Sequence, residues 1–168
     1  MRGTVPDLEM KKEIVKNIFS GQKDTNIALT SENNSPLLFK DLKDLSNKIS
    51  RQLSGNQISN KDRAAIILPN GPYMASSFLA ISSYMSAAPL NPNYKSDEYE
   101  FYLNDLKPKI VLVEPNSTNS VVDVAKKLKI PICEIKIKKD QPTGFFCLLY
   151  TSDAADDSLR VDLGGRRI

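Results

Sequence analysis

Arg63-Ala64-Ala65-Ile66-Ile67-Leu68-Pro69-Asn70-Gly71-Pro72 is the stretch on which the fold turns. Ala64 to Leu68 is a continuous apolar run, the pattern of a strand covered on both faces. Pro69 to Pro72 then makes a rigid turn, and Pro72 suits the first turn of a helix because it has no N–H to leave unpaired. That helix is expected to bury Met74, Phe78, Leu79, Ile81 and Met85 before a second short strand at Ala87–Leu90. A strand, a helix and a strand of these lengths imply a right-handed parallel crossover.

Toward the C-terminus the alternation continues. Asn91-Pro92-Asn93-Tyr94 reads as a rigid loop. Ser96 is expected to cap the next helix, with Asp97, Glu98 and Glu100 in its first turn, where the helix dipole favours anions. Lys109–Val113 is the third strand. A helix starting at Ser117 or Thr118 carries Val121, Val122, Ala125 and Leu128, and Ile130–Ile135 is the fourth strand. Toward the N-terminus, Leu42, Leu45, Ile49 and Leu53 mark an amphipathic helix over Lys40–Leu53, expected to stop near Gly55 as a glycine cap. Asn26–Thr30 and Pro36–Phe39 read as two short strands around the turn Glu32 to Ser35, and Pro6–Ser20 as a helix. The predicted fold is α/β: an open, mainly parallel, Rossmann-like sheet with flanking helices.

Composition narrows the function. The chain has 23 Lys and Arg against 20 Asp and Glu, a net charge of +3, and no histidine. So small an excess, without a basic stripe interleaved with aromatics, does not make a nucleic-acid footprint. Lys136, Lys138 and Lys139 read as the solvent side of a strand end. Cys133 and Cys147 are the only cysteines, so Cys/His metal centres and histidine acid–base chemistry are excluded. Ala64 to Tyr94 is uncharged and long enough to suggest a membrane span. Pro69, Pro72, Pro89 and Pro92 break it, and no span is expected. The N-terminus lacks a signal-peptide pattern, so secretion is not expected. On that ground the sequons at Asn33 and Asn116 are chance matches.

Candidate chemistry is sparse. No GxGxxG turn follows the first strand, and one glycine between two prolines cannot bring amides around a pyrophosphate. Asp97, Glu98 and Glu100 have a sufficient structural reason at a helix start. Tyr94, Tyr99, Phe101 and Tyr102 are expected mostly on the buried side and edge of one helix. No nucleophile with an adjacent base is found in residues 1–146, so no catalytic, cofactor-binding or metal-binding residue is assigned.

Four blocks nevertheless form a recognisable series. Leu37 to Asn47 resembles the leading motif of adenylate-forming (AMP-binding) enzymes. Lys61 to Pro72 looks like their first core strand and turn, Ser86 to Tyr94 their "PLNPaY" segment, and Asp105 to Val113 a following strand. The blocks keep the family's order and spacing over roughly residues 8–146. They are most similar to acyl-CoA synthetases of the 4-coumarate and oxalate–CoA ligase type. The resemblance implies an enzyme that activates a small carboxylic acid with ATP and magnesium and transfers the acyl group to coenzyme A. It implies a cytoplasmic or peroxisomal compartment. The family's phosphate loop, acidic motif and C-terminal lysine would all lie beyond residue 146. Two alternatives remain: a stand-alone α/β binding or interaction module without catalysis, and a peptide-synthetase-like adenylation domain. Asn91, where carrier-protein systems more often place an aspartate, favours the CoA ligases. In some relatives the loop at Leu90-Asn91-Pro92 approaches the coenzyme A nucleotide; here it is also explained as a stiff connection.

The end of the chain reads differently. Cys147 to Asp157, CLLYTSDAADD, resembles the translation of a transposase-type sequencing adapter beginning TGT CTC TTA TAC ACA TCT. Val161 to Ile168 resembles the flow-cell primer that follows such an adapter. Residues 147–168 are therefore expected to be a non-native tail, and residues 1–146 a truncated N-terminal part of an adenylation domain that is inactive by itself. Tyr150-Thr151-Ser152 resembles the opening of the family's "YTSGTTG" phosphate loop. Asp153 stands where that loop needs glycine, and a carboxylate there would repel a triphosphate.

Overall fold

Residues 19, 21–32 and 34–150 are described by the structure, a computed structural model. The helix expected at Pro6–Ser20 therefore lies outside the described residues except for Phe19, which is buried. The elements are β1 (Ile27–Ser31), β2 (Asn34–Leu38), α1 (Phe39–Gly55), β3 (Arg63–Ile67), α2 (Pro72–Ser82), β4 (Ser86–Pro89), α3 (Ser96–Leu106), β5 (Ile110–Val113), α4 (Val121–Lys127), β6 (Ile132–Lys136) and β7 (Cys147–Tyr150).

The main sheet has the order β4-β3-β5-β6-β7. Strands β4, β3, β5 and β6 are parallel, with Ala65 opposite both Ala88 and Val111. Strand β7 closes the edge antiparallel, pairing Tyr150 with Cys133 and Leu148 with Ile135. The α/β, mainly parallel sheet is thus as expected. Strand β7 falls in the segment set aside as foreign and was not anticipated.

The apolar run of β3 works on both faces, as its composition requires. Ala64, Ile66 and Leu68 face a layer made by Leu42, Leu45, Ile49 and Leu53 of α1 and Ala80 and Ile81 of α2. Ala65 and Ile67 face the opposite layer, made by Tyr99 and Leu103 of α3 and Val121, Val124 and Ala125 of α4. These side chains are removed from water almost completely, each contributing roughly 1.5–3 kcal/mol for the larger ones. The β1–β2 hairpin lies beside the first layer, with Leu37 fully buried.

Several boundaries differ from those expected, for local reasons. Asn34 already pairs with Ser31, so the hairpin connection is shorter than the four-residue turn. Ser96 is the first residue of α3 rather than its cap, because the Glu98 carboxylate accepts the Lys95 backbone N–H at 2.8 Å. Helix α4 begins at Val121, not at Ser117 or Thr118. The Ser117 hydroxyl accepts the Asn119 N–H, and the Asn119 side-chain oxygen accepts the Val121 N–H, a local arrangement that competes with helix.

Gly55 is the last residue of α1, not its left-handed cap; that role falls to Gln57, at φ 58°. Its N–H donates to the Ser54 carbonyl and the Ile58 N–H to the Leu53 carbonyl, the double bond of a Schellman ending. The buried Ile58 secures it. Lys129 and Ile130 end α4 in the same way. Gln57→Gly is expected to stabilise the chain by about 1 kcal/mol in urea melts, because glycine takes positive φ without a Cβ penalty.

Candidate functional site

In an open parallel sheet ligands sit at the carboxyl ends of the strands, where successive connections leave a strand in opposite directions. Here β3 connects to β4 on one side, and the chain then crosses to β5 on the other. The switch point lies between β3 and β5, bordered by Leu68–Gly71, Glu114–Ser120 and the nearby loop Leu90–Lys95.

The first border offers little to a phosphate. Gly71 has φ 155° and ψ −172°, a conformation essentially reserved for glycine. Pro72, at the start of α2, has no N–H to donate. The turn brings no lysine and no row of amides.

The second border is polar. Glu114, Pro115, Asn116, Ser117, Thr118 and Asn119 line a recess of about 430 Å³. Asn119 also donates from its amide to the Pro92 carbonyl at 2.7 Å, which ties this loop to the one after β4. That loop is fixed again by Tyr99, whose hydroxyl donates to the Asn91 carbonyl at 2.9 Å. Within the loop the Asn91 side chain accepts the Asn93 N–H at 3.0 Å. Asn91, Pro92 and Asn93 thus have a complete structural account as a stiff connection.

Of the three acids expected in the first turn of α3, Asp97 and Glu98 lie there and Glu100 does not. Glu98 holds the Lys95 N–H, and Glu100 pairs with Lys127 at 2.8 Å. The aromatic residues around α3 are not mostly buried, as expected from the sequence, but divided. Tyr99 is fully buried, but Phe101 is 68% and Tyr102 37% exposed. Tyr102 stacks on Tyr94 at 5.0 Å instead of entering the core.

Cys133 is buried in β6, and burial pushes its thiol up to about 12, so it stays protonated and unreactive at neutral pH. Burial likewise raises the Tyr150 phenol, whose hydroxyl has no hydrogen-bond partner among the described residues. Among the described residues no three His, Cys, Asp or Glu side chains are placed to hold a metal ion. No helix among them is long and apolar enough to cross a membrane.

One polar knot was not anticipated. Thr143 is buried, bonds the Ser31 hydroxyl at 2.9 Å, and donates its N–H to the Ser35 carbonyl. Next to it, Ser76 of α2 donates to the Gly144 carbonyl at 2.7 Å. The Pro142-Thr143-Gly144 turn signal was present in the sequence; its partners, remote in the chain, were not visible there. From this knot the chain enters β7, where the Gln52 amide bonds both the N–H and the carbonyl of Leu148 along the sheet edge. Thr151, Ser152 and Asp153 lie outside the described residues.

The model of a family described as AMP-binding enzyme matches residues 19–159. The chain belongs to that family. It is similar to oxalate–CoA ligase of Saccharomyces cerevisiae, 44% identical over 62 residues, which are 36% of this chain and 11% of that protein. It is similar to oxalate–CoA ligase of Arabidopsis thaliana as well, 38% identical over 82 residues, 48% of this chain and 16% of the relative. Among solved structures, ATP-bound MatB from Rhodopseudomonas palustris superposes with a TM-score of 0.63 at 18% identity. The superposition covers 72% of this chain and 25% of MatB. The fold is therefore that of adenylate-forming proteins, and the matches span only a small part of the curated relatives' lengths.

Proposed function

We propose that residues 1–146 are the N-terminal part of an ATP-dependent carboxylate–CoA ligase. In the complete enzyme a carboxylic acid would react with ATP to give an acyl adenylate and pyrophosphate. The thiol of coenzyme A would then displace AMP and form the thioester. The observation that carries this reading is the 44% identity to an oxalate–CoA ligase within a chain matched by the AMP-binding family. A cytoplasmic or peroxisomal location is part of the same proposal.

The residues at the switch point do not fit the nucleotide this chemistry needs. Phosphate binding calls for amides or a lysine converging on the anion. The Pro69–Pro72 turn supplies one glycine in an extended reversed conformation and a proline in place of a donor. No step is therefore assigned to a residue of this chain, and the chain as it stands is proposed to be inactive.

The same proposal covers Cys147 to Ile168 as translated adapter. The family match runs on to residue 159, and Cys147–Tyr150 pairs as β7. We attribute this to the chance likeness of Leu148-Leu149-Tyr150-Thr151-Ser152 to a strand entering the family's phosphate loop. An apolar segment placed beside the open β6 edge has reason to pair with it. Reading the nucleotides tests the point: codons other than the adapter's for Cys147 to Asp156 would defeat it.

The functional test is carboxylate-dependent exchange of labelled pyrophosphate into ATP, with oxalate first in a broad acid panel. The product of the complete gene is expected to show exchange, and the 168-residue chain none. Absence of exchange from the complete product with every acid would overturn the ligase reading. Exchange by the chain itself would overturn its proposed inactivity.

A further inference from the structure

Helix α3 has one side that the sheet explains and one that it does not. Tyr99 and Leu103 point inward. On the outward side Asp97, Phe101 and Asp105 recur every four residues, and Glu98 and Tyr102 do the same, so all five share one exposed stripe. The rings are held in place. Tyr102 stacks on Tyr94 with the planes 13° apart, and Phe101 meets Tyr102 edge-on at 5.3 Å. Binding to rings already ordered costs little side-chain entropy.

Helix electrostatics account for the acids at one end of the stripe only. Asp97 and Glu98 lie in the first turn, where the dipole favours them. Asp105 lies in the last turn, where it disfavours them, and that turn contains no basic residue. The stripe is an aromatic centre with carboxylates at both ends, on a chain whose net charge is +3. A guanidinium is the complementary group: its plane stacks on a ring while its N–H groups pair with a carboxylate.

We propose that the outer face of α3 is a docking surface for a basic protein segment in which arginines flank an apolar residue. The carboxylates of Asp97 and Asp105 would pair with the arginines, and the apolar residue would cover Phe101 and Tyr102.

The test uses the full 168-residue chain and two fluorescein-labelled dodecapeptides, one of alternating Arg and Leu, the other of alternating Glu and Leu. Anisotropy at physiological ionic strength is expected to show saturable binding of the first and none of the second. Phe101→Ser should weaken binding about tenfold, and the double variant Asp97→Asn/Asp105→Asn several-fold with a shallower salt dependence. Both variants alter exposed side chains, and circular dichroism checks that the fold persists. Phe78→Ser, at a phenylalanine of α2 that helical spacing assigns to the core but that is 38% exposed, should leave affinity unchanged. Equal binding of the two peptides, or equal losses in the Phe101 and Phe78 variants, would overturn the proposal. So would concentration-dependent dimerisation of the chain that Phe101→Ser abolishes without any peptide binding, which would assign the surface to a second copy.

Discussion

Gly144→Ala is expected to lower the unfolding free energy by about 3 kcal/mol, read as a fall in the urea midpoint without a change in slope. Two independent penalties combine. Gly144 has φ 72°, where any Cβ crowds its own backbone at a cost of about 1–2 kcal/mol. A Cβ there would also stand 2.8 Å from the Pro72 carbonyl oxygen and 3.1 Å from the Ser76 Oγ. The carbonyl belongs to the first turn of α2 and cannot move without moving the helix. Withdrawal of Gly144 would in turn stretch the bond from Ser76 to its carbonyl, which is buried and has no access to water. Gly55→Ala provides the contrast. Gly55 ends α1 with nothing within 4 Å of an added Cβ, so alanine there should stabilise by about 0.5–1 kcal/mol. If both substitutions proved neutral, the contact between the Gly144 turn and α2 would be disproved.

The contrast between these two glycines shows where the sequence was readable. Gly55 was recognised as a helix end, but the left-handed residue proved to be Gln57, because the Schellman bonds fall two residues further on. The role of Gly144, which carries more of the fold, is not legible in the sequence, because its partner Pro72 is remote in the chain. The sheet was legible because β3 is apolar at every position and so needs a layer on both faces, and because the stripe of α1 repeats at helical spacing. Boundaries at Asn34 and Val121 were not, since polar side chains there make local bonds that compete with the regular element. Phe101 was misplaced for another reason. Periodicity marks apolar residues, yet the inward side of α3 needs only Tyr99 and Leu103, leaving a further ring outside.

The candidate site was legible chiefly by exclusion. The absence of histidine ruled out a set of mechanisms from composition alone. In the turn after β3 the missing donors are legible from composition: Gly71 is its one glycine, and Pro72, the first residue of α2, has no N–H. What could not be foreseen is that the polar residues at the carboxyl end of the sheet bind one another. Asn119 and Tyr99 spend their donors on the carbonyls of Pro92 and Asn91. Spacing in a sequence cannot distinguish such a brace from a ligand contact, because both require polar side chains at strand ends.

Alkaline pH is expected to destabilise this chain through Cys133, with a sign and window that follow from burial. The thiol's ordinary value is 9.0, and desolvation in the core lifts it to about 12; Glu134 adds to the shift, while a hydrogen bond from the Leu149 backbone opposes it. Below pH 9 folded and unfolded chains both hold the proton, and the stability associated with it is fully present. Between pH 9 and 12 the unfolded chain releases the proton and the folded chain keeps it, so the unfolded state binds fewer protons and stability falls. The slope is about 1.4 kcal/mol per pH unit, which amounts to a few kcal/mol across the window. Tyr150, opposite Cys133 across the β6–β7 ladder and also raised by burial, acts in the same direction from its ordinary value of 10.0 upward. Cys133→Ala separates the two. It should cost about 1 kcal/mol at neutral pH through a small cavity, then lose stability more gently than the parent chain from pH 9 to 11. Urea midpoints at half-unit intervals would show the curves converging. Parallel curves would mean that the thiol is not desolvated in the folded chain, and that β7 does not cover Cys133 as the sheet order requires.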